Sequence, residues 1–293
     1  MTIETVAVTG GNGWIGGRII EGLNEHGYAT VDLARGKRRE EVSDRYVQID
    51  LLDAGEVYGS LAEADPDALI HMGTIPAPGG NPGYRVYESN VMSTFHLLEA
   101  AGALDVDRVV LPSSINVLGA AFQDAPTEMY YLPVDEDHPR TPRDPYAVSK
   151  HAIEVTADGF GRKPEGPDSI ASLRYPWVAD DDALRKLLLE QSRIAGADLP
   201  RPTGHRDELF SYVHIEDAVT AARNAIEVDL GGHETFWAVA ADTTMEIETA
   251  ELLDPFYPDA EVRREFEGHG GLVDISKAEE LLGWTPEHTW RDL

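Results

Sequence analysis

The sequence predicts an α/β fold: a doubly wound parallel sheet with helices on both faces and a small, partly interleaved C-terminal lobe. Three observations predict it. Strand-like apolar runs alternate with segments of helical spacing through the first half of the chain. The first run passes through a glycine-rich turn into a helix. After Pro176 the alternation loosens, yet no linker-like stretch, repeat or low-complexity segment follows. Residues 1–175 are expected to form the sheet domain and 176–293 the interleaved C-terminal lobe, in one unit.

Each element has its own signal. "TVAVTG" is an apolar, β-branched run ending in glycine. "WIGGRIIEGLNEH" follows with Ile15, Ile19, Ile20 and Leu23 on one helical stripe, and Gly27 is the stop. "YATVDLA", "YVQIDL", "DALIHMG", "RVVLPSS" and "SIASLRYPWV" read as the next five strands. Helices lie between most of them, clearest in "NVMSTFHLLEAAGAL" and "DPYAVSKHAIEVTADGF". Parallel strands need such crossovers, and right-handed crossovers give a doubly wound sheet. Beyond Pro176, "DDALRKLLLEQSRI" and "ISKAEELLGW" read as helices, "SYVHIEDAVTAARNAIE" as a turn and helix, and "ETFWAVA" as a strand.

Composition narrows the function classes. The 293 residues include no cysteine, which excludes disulfides, thiolate metal sites and a cysteine nucleophile. No segment approaches the roughly 20 apolar residues of a membrane span. The N-terminus runs directly into a strand without a signal-peptide pattern, so a cytoplasmic protein is expected. There are 53 acidic and 24 basic residues, a net charge of −29, and only five of the basic residues are lysines. The acids are spread along a normally patterned chain, which resembles cytoplasmic proteins of salt-accumulating halophiles. No basic face is evident, so nucleic acid is not an expected partner.

Gly10, Gly13 and Gly16 follow the first strand as G-x-x-G-x-x-G. In a strand–turn–helix context, one glycine makes the turn, one admits a pyrophosphate to the backbone, and one lets helix and strand approach. The helix N-terminus offers free N–H groups to the anion. The spacing predicts a Rossmann-type dinucleotide site, with Asn12, Trp14 and Ile15 in its turn and first helical positions; the alternative is a glycine-rich strand–helix turn that binds no ligand. The second strand ends at Ala34, where an NAD site usually carries a carboxylate. Arg35, Lys37, Arg38 and Arg39 follow, and arginine suits a 2′-phosphate, so NADP is preferred over NAD. The competing reading makes Asp32 the ribose carboxylate. Asp50 and the Leu51 backbone, ending the third strand, are candidates for the adenine, although Asp50 could instead cap the next helix.

Tyr146 and Lys150 are spaced i, i+4 and share one helix face. Tyrosine has a pKa near 10, and a nearby ammonium favours its phenolate, which makes it a usable base. Ser113 and Ser114 end the fifth strand, on the edge where such sheets bind ligands, and a hydroxyl there can hold a substrate oxygen. Singly, the Tyr–Lys pair reads as an ordinary helix pair and the serines as caps. The order glycine motif, serine strand end, then Y-x-x-x-K is much more specific.

These residues, with "TGGNGWIG", "HMG", "NVMST", "SSINVLG", "LRYP", "YVHIEDAV" and "SKAEELLGW", resemble the extended short-chain dehydrogenase/reductase superfamily, in particular its NAD-dependent epimerase/dehydratase family. The resemblance covers nearly the whole chain. It implies that Ser114, five residues before Gly119, is catalytic, that Tyr146 is the acid/base, and that Lys150 also holds the nicotinamide ribose. It implies that Asn90 supports the active-site helix and its hydrogen-bond relay. Met72, Gly73, Ser113, Tyr175 and Pro176 fall in segments expected to line the cofactor. The helices after Asn90 and Tyr146 would pair to make a homodimer.

Two departures bear on the substrate. Nucleotide-sugar epimerases usually carry an asparagine where Trp177 stands, and often an arginine where Phe210 stands. Both changes argue against a nucleotide diphosphate, although Arg201 and Arg206 could form a local basic pocket. "SSINVLG" also resembles uronate dehydrogenases, which act on free sugars, and Asn116 could then touch a substrate hydroxyl. The substrate residues are therefore expected to be Ser114, Asn116, Trp177 and Phe210. His71 and His214 read as structural, and no metal-ligand spacing is present, so no metal is expected.

The expected activity is NAD(P)-dependent hydride transfer at a secondary alcohol of a sugar-like substrate. A UDP-sugar 4-epimerase is the alternative. A non-catalytic dinucleotide sensor is the reading from another class, and the joint presence of Ser114, Tyr146 and Lys150 argues against it.

Overall fold

The computed structural model describes residues 2–38, 42–76, 80–120, 128–194 and 208–293. Arg39, Arg201 and Arg206 lie outside them. In chain order the elements are β1 (Thr5–Thr9), α1 (Trp14–Glu25), β2 (Ala29–Ala34), β3 (Arg45–Gln48), α2 (Ala54–Ala64), β4 (Ala68–His71), α3 (Gly83–Ala103) and β5 (Arg108–Ser114). A 3-10 turn (Ile115–Leu118), β6 (Tyr131–Leu132), α4 (Pro145–Phe160), β7 (Ser169–Tyr175), β8 (Trp177–Ala179) and α5 (Asp181–Ile194) follow. The remainder is β9 (Tyr212–His214), α6 (Ile215–Glu227), β10 (Gly232–Trp237), α7 (Thr249–Phe256), β11 (Glu261–Val262), α8 (Ser276–Leu282) and a last 3-10 turn (Trp290–Asp292).

Seven strands form one sheet in the order β10-β7-β5-β4-β1-β2-β3. The pairs β1–β2, β1–β4, β2–β3 and β4–β5 are parallel. The chain starts in the middle, winds outward through β2 and β3, then returns to β4 on the other side of β1. The carboxyl ends of β1 and β4 therefore flank the point where the winding reverses, which is where open α/β sheets bind ligands.

Two units divide the chain. The first comprises Met1–Ser113, Asp144–Leu173 and Val219–Phe236. Its core includes Ala7, Leu33, Leu69, Leu97, Leu111 and Ile153, from sheet and helices together. The central strands β1, β4 and β5 are buried along almost their whole length, as a sheet covered on both faces requires. The second comprises Ser114–Arg143, Arg174–Ala218 and Trp237–Leu293. It has a separate core around Leu132, Phe210, Trp237, Leu252 and Val273.

The single strand predicted over "SIASLRYPWV" is two. β7 stops at Tyr175, and after Pro176 the chain enters β8, which pairs in parallel with β9 in a separate ribbon. Proline has no N–H to donate, so the ladder cannot run through it. α3 is longer than its predicted core, beginning at Gly83 behind Pro82.

Candidate active site

The glycine turn is built from backbone contacts. Gly10 takes φ +77, and a side chain there would lie 2.8 Å from the Met72–Gly73 backbone. A side chain on Gly16 would lie 2.4 Å from the Gly10 carbonyl oxygen. Both positions need glycine, one for its conformation and one for the approach of helix to strand. α1 then starts at Trp14 with Gly13 as its cap residue, no side-chain capping bond and no acid in its first turn. Its first N–H groups fit an anion such as a pyrophosphate. Asn12 Nδ2 donates to the Arg35 and Lys37 carbonyls, both at 3.5 Å, and ties the turn to the end of β2. Ile15 is half-buried at the start of α1, while Trp14 is exposed.

At the end of β2, Asp32 is buried and its Oδ1 accepts from the Gly11 N–H at 3.0 Å. Ala34 ends the strand, and Arg35 and Lys37 are exposed beyond it. Arg38 turns back to donate to the Ser43 carbonyl. On the next strand end, Asp50 accepts from the Leu52 N–H at 3.1 Å, while α2 is capped by Asp53. Leu51 buries its side chain in the first unit's core, and its carbonyl oxygen bonds the His96 ring at 3.1 Å.

α4 begins where Asp144 accepts from the Tyr146 and Ala147 N–H groups, with Pro145 at the first helical position. One turn on, Lys150 is buried. Its Nζ donates to the Pro112 carbonyl at 2.7 Å and to Thr74 Oγ1 at 3.1 Å, and lies 5.5 Å from the centre of the Tyr146 ring. Burial pulls its pKa down to about 7. Ser113, on β5, donates to the buried Glu154 carboxylate at 2.6 Å, one further turn along α4.

Asn90 is fully buried on α3. Its Oδ1 accepts from the Ile75 N–H at 2.7 Å, and its Nδ2 donates to the Ile75 carbonyl and to Ser149 Oγ. Ser149 Oγ donates in turn to the Tyr146 carbonyl at 2.7 Å. The network extends to the glycine strand. Thr9 Oγ1 accepts from the Met72 and Gly73 N–H groups, so its own proton goes to His71 Nδ1 at 2.6 Å. His71 therefore carries its proton on Nε2 and donates to Ser93 Oγ at 3.2 Å, which donates to the Asn90 carbonyl. Burial, then the Lys150 charge, pulls the His71 pKa down to about 3, so the ring stays neutral.

Ser114 and the residues after it belong to the second unit. Ser114 ends β5, and its Oγ accepts from the Asn116 N–H at 3.2 Å. The Asn116 Oδ1 atom is buried with no hydrogen-bond partner among the described residues. Tyr175 is buried and donates to the Ala218 carbonyl at 3.4 Å, Pro176 is buried beside it, and Trp177 is half-buried. Phe210, expected at the substrate, packs in the second unit's core. It has no exposed surface and sets its ring edge-on to Phe256 and Tyr257, 5.1 and 6.2 Å between centres. Core packing accounts for an aromatic residue at this position.

The sequence reading missed Thr9, Thr74, Ser93, Ser149 and Glu154, and gave His71 no part in a network. Glu154 had a signal, lying i+4 from Lys150 on the same helix face. Thr9 and Ser93 had none, because each meets His71 from a separate stretch of chain.

The model of the NAD dependent epimerase/dehydratase family matches residues 6–240. The chain belongs to this family. It is thus an NAD(P)-dependent enzyme of the extended short-chain dehydrogenase/reductase type. Among curated relatives, the UDP-glucose 4-epimerase of Rhizobium leguminosarum bv. trifolii is 26% identical, over 98% of this chain and 94% of that protein. The UDP-glucose 4-epimerase of Bacillus subtilis is 30% identical, over 76% of this chain and 72% of that protein. The structure of MoeE5 in complex with UDP-glucuronic acid and NAD aligns at a TM-score of 0.70 and 21% identity, covering 98% and 95% of the two chains, and shows the fold alone.

Proposed function

We propose that this enzyme transfers hydride between NADP and a secondary alcohol carbon of a sugar-like substrate. The observation that carries the reading is the Tyr146–Lys150 pair on α4, with the Lys150 ammonium buried and aimed by two acceptors. Tyr146 takes the hydroxyl proton as general base. Lys150 favours its phenolate and holds the nicotinamide ribose. Ser114 positions the substrate oxygen, and Asn116 meets a neighbouring hydroxyl with its Oδ1, which has no partner among the described residues. Trp177 lines the substrate. Asn90 holds α4 in place through Ser149.

The dinucleotide fits the turn Gly10–Gly16, with its pyrophosphate on the uncapped start of α1. Met72, Gly73, Ser113, Tyr175 and Pro176 line it, and Asp50 meets the adenine. When bound, its nicotinamide accepts or returns a hydride. NADP is preferred because Ala34 offers no ribose carboxylate, Asp32 is buried against Gly11, and Arg35 is exposed at the strand end. Exposed apolar side chains on α3 and α4 support a homodimer.

A second reading is favoured by the relatives, which are named UDP-glucose 4-epimerases over nearly the whole chain. If the ketone stays bound and hydride returns to its other face, the net reaction is epimerisation. If it leaves, the enzyme is a dehydrogenase. Reduced-nicotinamide absorbance in molar KCl, with free aldoses, uronates and UDP-sugars as substrates, separates them. Steady accumulation with a free sugar establishes a dehydrogenase. An isomerised UDP-sugar without accumulation establishes the epimerase. In either case Tyr146→Phe is expected to lower turnover by a factor of about 100 to 10,000. Unchanged turnover would remove the assignment.

A further inference from the structure

Asp32 is a carboxylate inside a largely buried strand. It sits in β2 between Val8 on β1 and Tyr46 on β3, and is only 3% exposed. Its Oδ1 accepts from the Gly11 N–H at 3.0 Å. A side chain added to Gly11 would lie 2.5 Å from the Asp32 carboxyl group and 2.4 Å from Ile20 on α1. The carboxyl group is therefore packed directly beneath the glycine turn.

We propose that Asp32 is a positioning residue for the dinucleotide: its carboxyl group supports the glycine turn from below and takes up one proton when the pyrophosphate binds above. This rests on the dinucleotide reading of that turn. The physical reason is charge. A pyrophosphate brings negative charge to a turn that already has a buried carboxylate behind it, and like charges favour the protonated form. The proton comes from solvent and ends on a carboxylate oxygen. The carbonyl oxygen of the neutral acid still accepts from Gly11, so support is kept while the charge is removed.

The free group is already poised for this. Burial raises the Asp32 pKa to about 6, against the Gly11 N–H bond and the Arg38 charge, which lower it. Among the described residues Arg38 is the charge acting on it. Tyr46 beside it places its hydroxyl on the Ala34 and Gly36 carbonyls. α1 contributes Ile20 at this point, and β1 contributes Val8. An anion can only raise the value further, so affinity rises as pH falls toward about 6, tenfold for each unit gained on binding.

The test is calorimetric titration with NAD, which lacks the titrating 2′-phosphate of NADP, in molar KCl. Two buffers of different ionisation enthalpy count the protons. The unaltered protein is expected to take up a substantial fraction of one proton near pH 6.5, and to bind about three- to tenfold more tightly at pH 6 than at pH 8. Asp32→Asn, which mimics the neutral acid, is expected to take up none and to bind tightly at both pH values. Asp32→Leu loses the acceptor and is expected to bind weakly throughout, with thermal unfolding reporting whether it folds. The same proton count in Asp32→Asn, or no uptake by the unaltered protein, overturns the proposal. Weaker NAD binding by Asp32→Asn with NADP unaffected would make Asp32 the ribose ligand instead. No binding of NAD or NADP at any pH would overturn both this and the dinucleotide reading, whereas binding without proton uptake overturns this alone.

Discussion

Ala34 and Arg35 are adjacent residues with the same bearing on the proposed cofactor. Ala34 removes a carboxylate that would hold a ribose diol and repel a phosphate, and Arg35 adds a guanidinium suited to that phosphate. NADP is expected to bind about 10- to 100-fold more tightly than NAD, the worth of one charge-assisted contact. Ala34→Asp with Arg35→Asn should reverse the order, as read from dissociation constants at one salt concentration. Tighter binding of NAD by the unaltered protein would refute the assignment. The order of Ala34 and the basic run was legible in the sequence because the two are contiguous. The role of Asp32 was not: the sequence shows a carboxylate two residues before the strand end, but its partner Gly11 is 21 residues away.

At the scale of elements, α3 and α4 explain both the site and the expected pairing. They pack against one another, and Asn90–Ser149 is a polar tie between them. Their outer surfaces carry Tyr84 at 70% exposure, Tyr87, Met92 and Phe95 on α3, and Val148 and Val155, the latter at 55%, on α4. Apolar residues at helical spacing that face away from the core mark an association surface. Light scattering is expected to give a dimer, and Met92→Glu with Val155→Glu a folded monomer. A monomeric unaltered protein would refute the pairing. The face shared by Tyr146 and Lys150 was readable because the helical period is local. The break at Pro176 was also written in the chain, but the pairing of β8 with β9 joins residues more than thirty positions apart, and no period reports that.

For the whole molecule, charge outweighs every other feature of composition. A net −29 over 293 residues, with five lysines, leaves few cations to offset the acids. The ion pairs between arginines and acids are mostly exposed, and pairs of this kind contribute little. Self-repulsion is screened when the Debye length falls from about 10 Å at 0.1 M salt to about 3 Å at 1 M. The unfolding temperature is therefore expected to rise by several degrees between about 0.1 and 2 M KCl, measured by circular dichroism. A flat or falling trend would show that the acids are tolerated without salt.

The sequence by itself determined the alternation of strands and helices through the first half of the chain, the glycine turn that begins α1, the Tyr146–Lys150 face and the acidic composition. Each is set by neighbours within a few residues or by composition, where periodicity and stereochemistry act directly. Only the tertiary structure decided that Phe210 belongs to a core, that Asp32 lies beneath Gly11, and that His71 joins Thr9 to Ser93 and so links the glycine strand to Asn90. Those outcomes depend on which distant segments share a buried space. In that space an unmatched polar group costs more than any local preference returns, and the chain meets the requirement by pairing groups that lie far apart in sequence.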